Sequence, residues 1–355
     1  MRARRGTRMI ATIEKVVLVR KRLKLLAAVF MAVAALVVAA GCGSGGGGDD
    51  GGGDDGGTAA SASAATSVFP VTLKNKFGAT VIKSQPKRVI ALSYEEDTLA
   101  TLGLTPIAYG KNEYKPDGVF PWLAGKIDLS KSAALDTSGD LNLEQIAALR
   151  PDLILATNFY SLADYYDRLS KIAPTVGYTD DAGIATWQEN STIVGKAVGR
   201  DADIQKAIAA TTKIIQGVKG DLPGLVGRTF SYSFYYEPGG LAVIDDPKTV
   251  SVQLYGELGM KLAPGVTTSV VDRSLSMEKL GALDADFMLI GYATPALKTE
   301  MNANKLFTEI PAVKAGRVLQ VDAFTAGAVN NPTILNIPWQ LDQLKPTLTK
   351  VTATG

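Results

Sequence analysis

Residues 141–156, LNLEQIAALRPDLILA, align without a gap on residues 275–290, LSMEKLGALDADFMLI, at a constant offset of 134. Six of the sixteen positions are identical: Leu141 with Leu275, Glu144 with Glu278, Ala148 with Ala282, Leu149 with Leu283, Asp152 with Asp286 and Leu155 with Leu289. Each copy reads as a short helix running into an unbroken apolar strand, with Asn142 or Ser276 placed to cap the helix. An apolar run between helices is the mark of a parallel strand covered on both faces. The chain is therefore expected to fold as two equivalent α/β units, each presenting one glutamate in a first helical turn.

The segments around the copies fit that plan. Arg88–Tyr94 and residues 106–110 read as strands, with a helix over Asp97–Leu104 between them; Leu143–Leu149 is helical and stops before Pro151. A strand follows over Asp152–Thr157, then a helix over Ser161–Ile172 and a short strand at Thr175–Tyr178. From Trp187 to about Lys219 the helical pattern hardly breaks, with a junction at Gly199-Arg200-Asp201 and Asp201 expected as N-cap. Strand character returns at Arg228–Tyr236. That stretch reads as a helical connector between two lobes, the alternative being a long helix inside one domain. The expected organisation is 1–41 signal segment, 42–68 tether, 69–185 first lobe, 186–226 helical connector and 227–355 second lobe.

The chain's start is an address. Arg20, Lys21, Arg22 and Lys24 precede sixteen apolar residues, Leu25–Ala40, followed by Gly41-Cys42. Sixteen residues fall short of the roughly 20 that span a bilayer, so a secretory signal is favoured over an uncleaved anchor. The small-small-Cys ending resembles the lipobox of bacterial lipoproteins, which implies diacylation of Cys42 and a mature N-terminus there; two chains anchor stably where one is marginal. The start codon is either Met1 or Met9. Residues 43–67, rich in Gly, Asp and Ser, have nothing large and apolar to bury and read as a flexible tether. The paired aspartates in it lack the further ligands that a calcium loop supplies.

Counts then exclude several chemistries within this chain. There is no histidine and one cysteine, which removes Ser-His-Asp catalysis, His-ligated zinc, proximal-His haem and internal disulfides. No Gly-Lys-Ser/Thr occurs, so there is no Walker-type phosphate loop. Nine of the 37 Lys+Arg and one of the 35 Asp+Glu precede Cys42; from there onward 28 bases face 34 acids, a net −6. That balance argues against a nucleic-acid partner. Ser276-Met277-Glu278-Lys279 and Ser84-Gln85-Pro86-Lys87 match the Ser-x-x-Lys spacing of acyl-transfer enzymes, but one carries Pro where a helix is required and neither Ser-Asp-Asn nor Lys-Thr-Gly occurs. No enzymatic activity is expected.

Pro70-Val71-Thr72 with Gly78, Pro86-x-Arg88-Val89-Ile90, Asn142-Leu143-Glu144 with Leu149-x-Pro151-Asp152-Leu153-Ile154, Ser276-x-Glu278 and Pro338-Trp339-x-Leu341-Asp342 occur in this order. Together they resemble the substrate-binding proteins of bacterial iron-siderophore and cobalamin ABC importers, over about residues 69–346. The resemblance implies two Rossmann-like lobes joined by a single long helix, a ligand cleft between them and modest hinge closure. It implies that Glu144 and Glu278 pair with arginines on two permease subunits. It also implies a monomeric, lipid-anchored receptor on the outer membrane face that hands a ferric siderophore to an ABC permease. Haem, cobalamin and bare ferric ion are the alternative cargoes.

Ligands of open α/β sheets lie beyond the carboxyl ends of the strands. Those positions offer Ser93, Tyr94, Lys111, Tyr114, Asn158, Phe159 and Tyr160 in the first lobe, and Phe234, Tyr235, Tyr236, Tyr292 and Phe324 in the second. Arg273 and Lys111 could neutralise an anionic complex. No arginine cluster accompanies them, and tyrosines dominate. The expectation is contact through aromatic faces and phenol hydrogen bonds with an already chelated metal, and no resident cofactor.

Overall fold

The structure is a computed structural model, and it describes residues 68–112, 114 and 118–353. The signal segment, the tether and Cys42 lie outside the described residues. Among the described residues no helix is long and apolar enough to cross a membrane.

A hairpin opens the fold: β1 (Val71–Asn75) pairs antiparallel with β2 (Gly78–Ile82). The first lobe follows with β3 (Val89–Ala91), α1 (Glu95–Thr101), β4 (Ala108–Gly110), β5 (Ala133–Leu135), α2 (Leu143–Ala148), β6 (Leu153–Ala156), α3 (Leu162–Leu169) and β7 (Thr175–Gly177). Its strands lie in the order β5-β4-β3-β6-β7, all parallel. Every residue of β3, β4, β6 and β7 is buried, as both-face coverage demands.

The connector is two helices, α4 (Trp187–Ala197) and α5 (Asp201–Asp221). Thr186 begins α4 with a capping box against Glu189. Gly195 and Gly199 make the tight turn between them. A Cβ on Gly195 would stand 2.3 Å from Ile204, and Gly199 has φ +70°. The expected cap at Asp201 is corrected: Arg200 is the N-cap residue and its side chain makes no cap bond, while Asp201 is the first helical residue.

The second lobe comprises β8 (Thr229–Glu237), β9 (Gly240–Val243), α6 (Val250–Glu257), β10 (Lys261–Leu262), α7 (Pro264–Ser269), β11 (Phe287–Tyr292), α8 (Pro295–Ala303), α9 (Lys305–Thr308), α10 (Pro311–Lys314), β12 (Val318–Asp322), α11 (Ala323–Asn330) and α12 (Ile337–Thr352). Its order is β10-β8-β11-β12, parallel throughout, with β9 added antiparallel to β8. One hydrophobic core runs from Val89 and Leu153 of the first sheet through Ile204 and Ile215 of α5 to Phe230, Phe287 and Leu344 of the second lobe. A long helix sharing its core with both lobes is a stiff joint.

The two copies of the repeat occupy equivalent places but are not built alike. Asn142 caps α2 by accepting from the Gln145 N–H at 2.9 Å, and Arg150 ends the turn with φ +44°. In the second copy the expected α-helix is a 3₁₀ segment, Met277–Leu283, kinked at Lys279, and Ser276 accepts from Glu278 N–H at 3.4 Å. Glu144 and Glu278 are both solvent-exposed.

Candidate functional site

The carboxyl ends of both sheets open on the space between the lobes. β3 leads through Leu92 and Ser93 to Tyr94, whose φ of +69° turns the chain sharply into α1. β4 leads to Lys111 and Asn112, and β6 to Thr157 and Asn158. From the second lobe, α11 and the segment after it close over these loops. Asn158 Nδ2 donates to Asn331 Oδ1 at 3.1 Å, and Thr333 Oγ1 donates to Asp97 Oδ2.

An aromatic cluster joins the lobes. Phe120 stacks on Trp122 with centroids 4.9 Å apart, Tyr94 lies 5.1 Å from Phe120, and Trp122 approaches Phe324 at 6.0 Å and Trp339 at 5.2 Å. Beside it lies a cavity of about 160 Å³ bounded by Tyr94, Glu96, Asn112, Tyr114, Phe120 and Phe324. A second space of about 420 Å³ begins at Tyr114 and Phe324 and runs along Tyr292 and Lys298. A third, about 30 Å³, lies behind Ser93, Asn158 and Asn331.

Three consecutive buried acids stand at the start of α1, and the middle one, Glu96, lines the main cavity. Glu95 accepts from Ser93 N–H at 2.7 Å, Thr157 N–H at 2.6 Å and Thr157 Oγ1 at 3.0 Å. Asp97 accepts from Trp122 Nε1 at 2.8 and 2.9 Å and from Thr333. Neither oxygen of Glu96 has a hydrogen-bond partner among the described residues. Burial pushes all three carboxyls up, Asp97 to about 7, and the charges on Asp97 and Glu95 raise Glu96 further. Burial likewise raises the Tyr94 phenol, helped by Glu96, and the Tyr160 phenol, against which the Arg273 guanidinium works. These phenols are hydrogen-bond donors at neutral pH.

The positions read from the sequence divide. Tyr94, Lys111, Tyr114 and Phe324 border the main cavity, and Tyr160 and Arg273 are near enough across the lobes to interact electrostatically. Lys111 also pairs with Asp136 at 3.2 Å. Asn158 is a joint between loops, its Oδ1 taking the Gly183 N–H at 2.7 Å. Phe234 and Tyr236 pack together with Ala323 and Ala326. Tyr292 is buried, reaches Gln320 through its hydroxyl at 3.0 Å and borders the larger space with its edge.

Two expectations are corrected. Phe159 is 5% exposed and packs in the first lobe's core beside Leu162 and Tyr165. Tyr235 is 0% exposed and donates to Glu300 at 2.6 Å from within the second lobe's core. Strand β8 continues to Glu237, so Tyr235 points away from the face shared by Phe234 and Tyr236. Sequence reasoning missed Glu95, Glu96, Asp97, Asn112, Phe120, Trp122 and Trp339. The one available signal was three acids directly after a strand.

Compared with known proteins, residues 89–324 match the family described as periplasmic binding protein. The Fe(3+)-citrate-binding protein YfmC of Bacillus subtilis (strain 168) is 28% identical over 258 residues, 70% of this chain and 77% of its own. The probable siderophore-binding lipoprotein YfiY of the same organism is 30% identical over 281 residues, 73% of this chain and 83% of its own. Among solved structures, a periplasmic solute binding protein from Mycobacterium smegmatis str. MC2 155 superposes with a TM-score of 0.69 at 28% identity, covering 79% of this chain and 98% of that one. PiaA of Streptococcus pneumoniae TIGR4, solved with ferrichrome, superposes at 0.67 with 23% identity over 79% and 99%, a likeness of fold.

Proposed function

The chain belongs to the periplasmic binding protein family, and from that premise we propose that it captures a ferric siderophore between its lobes and delivers it to an ABC permease, changing no bond. The observation that carries the reading is the inter-lobe cavity walled by Tyr94, Tyr114, Phe120 and Phe324. Aromatic faces and protonated phenols suit a chelate that brings its own metal ligands. The names of the two Bacillus relatives, one for ferric citrate and one for a siderophore, support the cargo class.

The organisation that goes with this reading is a signal segment over 1–41, a tether over 42–68, lobes over 69–185 and 227–355 and a connector over 186–226. Cys42 carries the lipid anchor and holds the body at the outer membrane face as a monomer; mass spectrometry of the mature N-terminus should find it acylated. Glu144 and Glu278, exposed at the two lobe tips, dock on the permease.

Fluorescence titration with ferric hydroxamates, ferric catecholates, ferric dicitrate, haem and cobalamin tests the cargo. Quenching of cavity aromatics by a ferric chelate is expected. Response to haem or cobalamin alone would overturn the siderophore reading. A phenolate-to-iron absorption band on adding unchelated Fe(III), lost in Tyr94→Phe or Tyr160→Phe, would replace it with direct iron binding.

A further inference from the structure

The main cavity contains two buried polar groups that nothing among the described residues satisfies. Glu96 is 0% exposed and both of its carboxyl oxygens lack a partner. Asn112 is 5% exposed; its Oδ1 accepts the Tyr114 N–H at 2.9 Å, but its Nδ2 has no acceptor. Both line the same cavity. A buried polar group left unpaired is costly, and for one that can carry charge more so. The flanking acids show that this chain can supply partners where it needs them: Glu95 receives three donors and Asp97 the indole and a threonine hydroxyl. Of the three acids, Glu96 alone has no hydrogen-bond partner among the described residues.

The surroundings specify what would complete it. Glu95 and Asp97 stand on its own helix, Tyr94 and Tyr114 line the same cavity from the neighbouring turn and from the loop after β4, and the Lys111 ammonium on that loop is engaged with Asp136. A further anion would be repelled. A neutral donor would bond to the carboxyl but leave its charge uncompensated. A protonated nitrogen answers both, and charge-assisted bonds of this type are the strong ones. Burial together with the charges on Asp97 and Glu95 raises the Glu96 carboxyl well above its ordinary range, and an arriving cation works against that shift. The idle N–H of Asn112 needs a ligand oxygen.

We propose that this cavity selects chelates bearing a protonated amine, with that nitrogen on the Glu96 carboxyl and a chelate oxygen on Asn112 Nδ2. The proposal rests on the siderophore reading above and narrows it to amine-bearing members.

A matched pair of ligands tests it. Ferrioxamine B carries a free terminal ammonium, and its N-acetyl derivative differs only there; a ferric tris-catecholate and ferric dicitrate serve as amine-free chelates. Wild type should bind ferrioxamine B at least about tenfold tighter than the acetyl form. Glu96→Gln should bring the two to within about threefold of each other, with an unchanged thermal midpoint as evidence of folding. Equal affinity of wild type for the pair, binding of only the acetylated or amine-free chelates, or a preference that survives in Glu96→Gln would each overturn the amine assignment while leaving ferric-chelate capture standing. Binding of none of the four would remove the siderophore reading and this proposal together.

Discussion

The two lobes carry the same helix–strand unit, yet they fasten and surround it differently. In the first lobe Asp152 accepts the N–H groups of Lys87 and Arg88, both at 2.8 Å, and so pins the foot of β3 to β6. In the second, Asp286 accepts Thr229 N–H at 2.8 Å and Thr229 Oγ1 at 2.9 Å, with Arg228 at 3.2 Å and Arg317 at 3.6 Å beside it, and pins β8 to β11. The helix between glutamate and aspartate is α in one copy and 3₁₀ in the other. What the repeat preserves is therefore the strand anchor at one end and an exposed glutamate at the other, and the turn geometry between them is free to drift. At the cleft the contrast is stronger, because the first lobe contributes buried acids and the second contributes Phe324 and Trp339.

The largest effect is expected where the lobes meet through an acid. Asp97→Ala strands the Trp122 indole N–H and the Thr333 hydroxyl in a buried joint, and should lower unfolding stability by about 2–4 kcal/mol in denaturant melts. The Asp97 carboxyl is pushed by burial from its ordinary 3.8 to about 7, despite the bonds from Thr333 and Trp122. A folded pKa above the unfolded one means that its contribution is complete below about pH 4 and declines as pH rises through 7. Asp97→Asn should flatten stability over that window; an unchanged profile would show that Asp97 does not titrate there.

A smaller effect, opposite in sign of pH, belongs to the second lobe. Asp286→Ala should cost about 2–3 kcal/mol, because Thr229 loses two bonds and two arginines lose their counter-charge, whereas Asp152→Ala at an exposed foot should cost about 1–2. Partial burial works against ionisation of Asp286, but the bonds from Thr229 and the Arg228 charge hold its carboxyl below the usual range. That contribution is present above about pH 4 and lost as pH falls through the depressed value. Equal costs for the two alanine variants would mean that the arginines add nothing to the anchor.

The difference between the lobes also explains what was readable. The Asn142 cap is local in sequence, and apolar runs betray buried strands, so the repeat exposed the two-lobe plan; the partners of the anchoring aspartates, 65 residues from Asp152 and 57 from Asp286, were not readable. The acids at 95–97 look like solvated first-turn residues of an ordinary helix. Their partners come from far along the chain, Trp122 by 25 residues and Thr333 by 236, and no periodicity links them. Tyr235 was misplaced because it lies within β8 on the face opposite Phe234 and Tyr236, and Phe159 because the turn after β6 tucks it into the first lobe's core. Lys279 and Gly281 gave too little helix signal to separate an α turn from a 3₁₀ one.

The smallest effect on the folded protein should come from the two glutamates, which the lobes share along with the strand anchor. Glu144 and Glu278 are exposed, each in the first turn of its segment. Removing an exposed charge changes stability by no more than about 0.5 kcal/mol, so Glu144→Ala, Glu278→Ala and the double variant should melt and bind chelate like wild type. Docking is another matter, since a charge pair desolvated at an interface contributes more than the 0.2–1 kcal/mol typical of exposed pairs and also steers encounter. With both glutamates docking on the permease as proposed, each single variant should lower chelate uptake into cells or permease-loaded vesicles, and the double variant should lower it further. If uptake by the double variant equals that of wild type while chelate affinity is unchanged, the glutamates are ordinary solvated residues and the preserved feature of the repeat is the strand anchor alone.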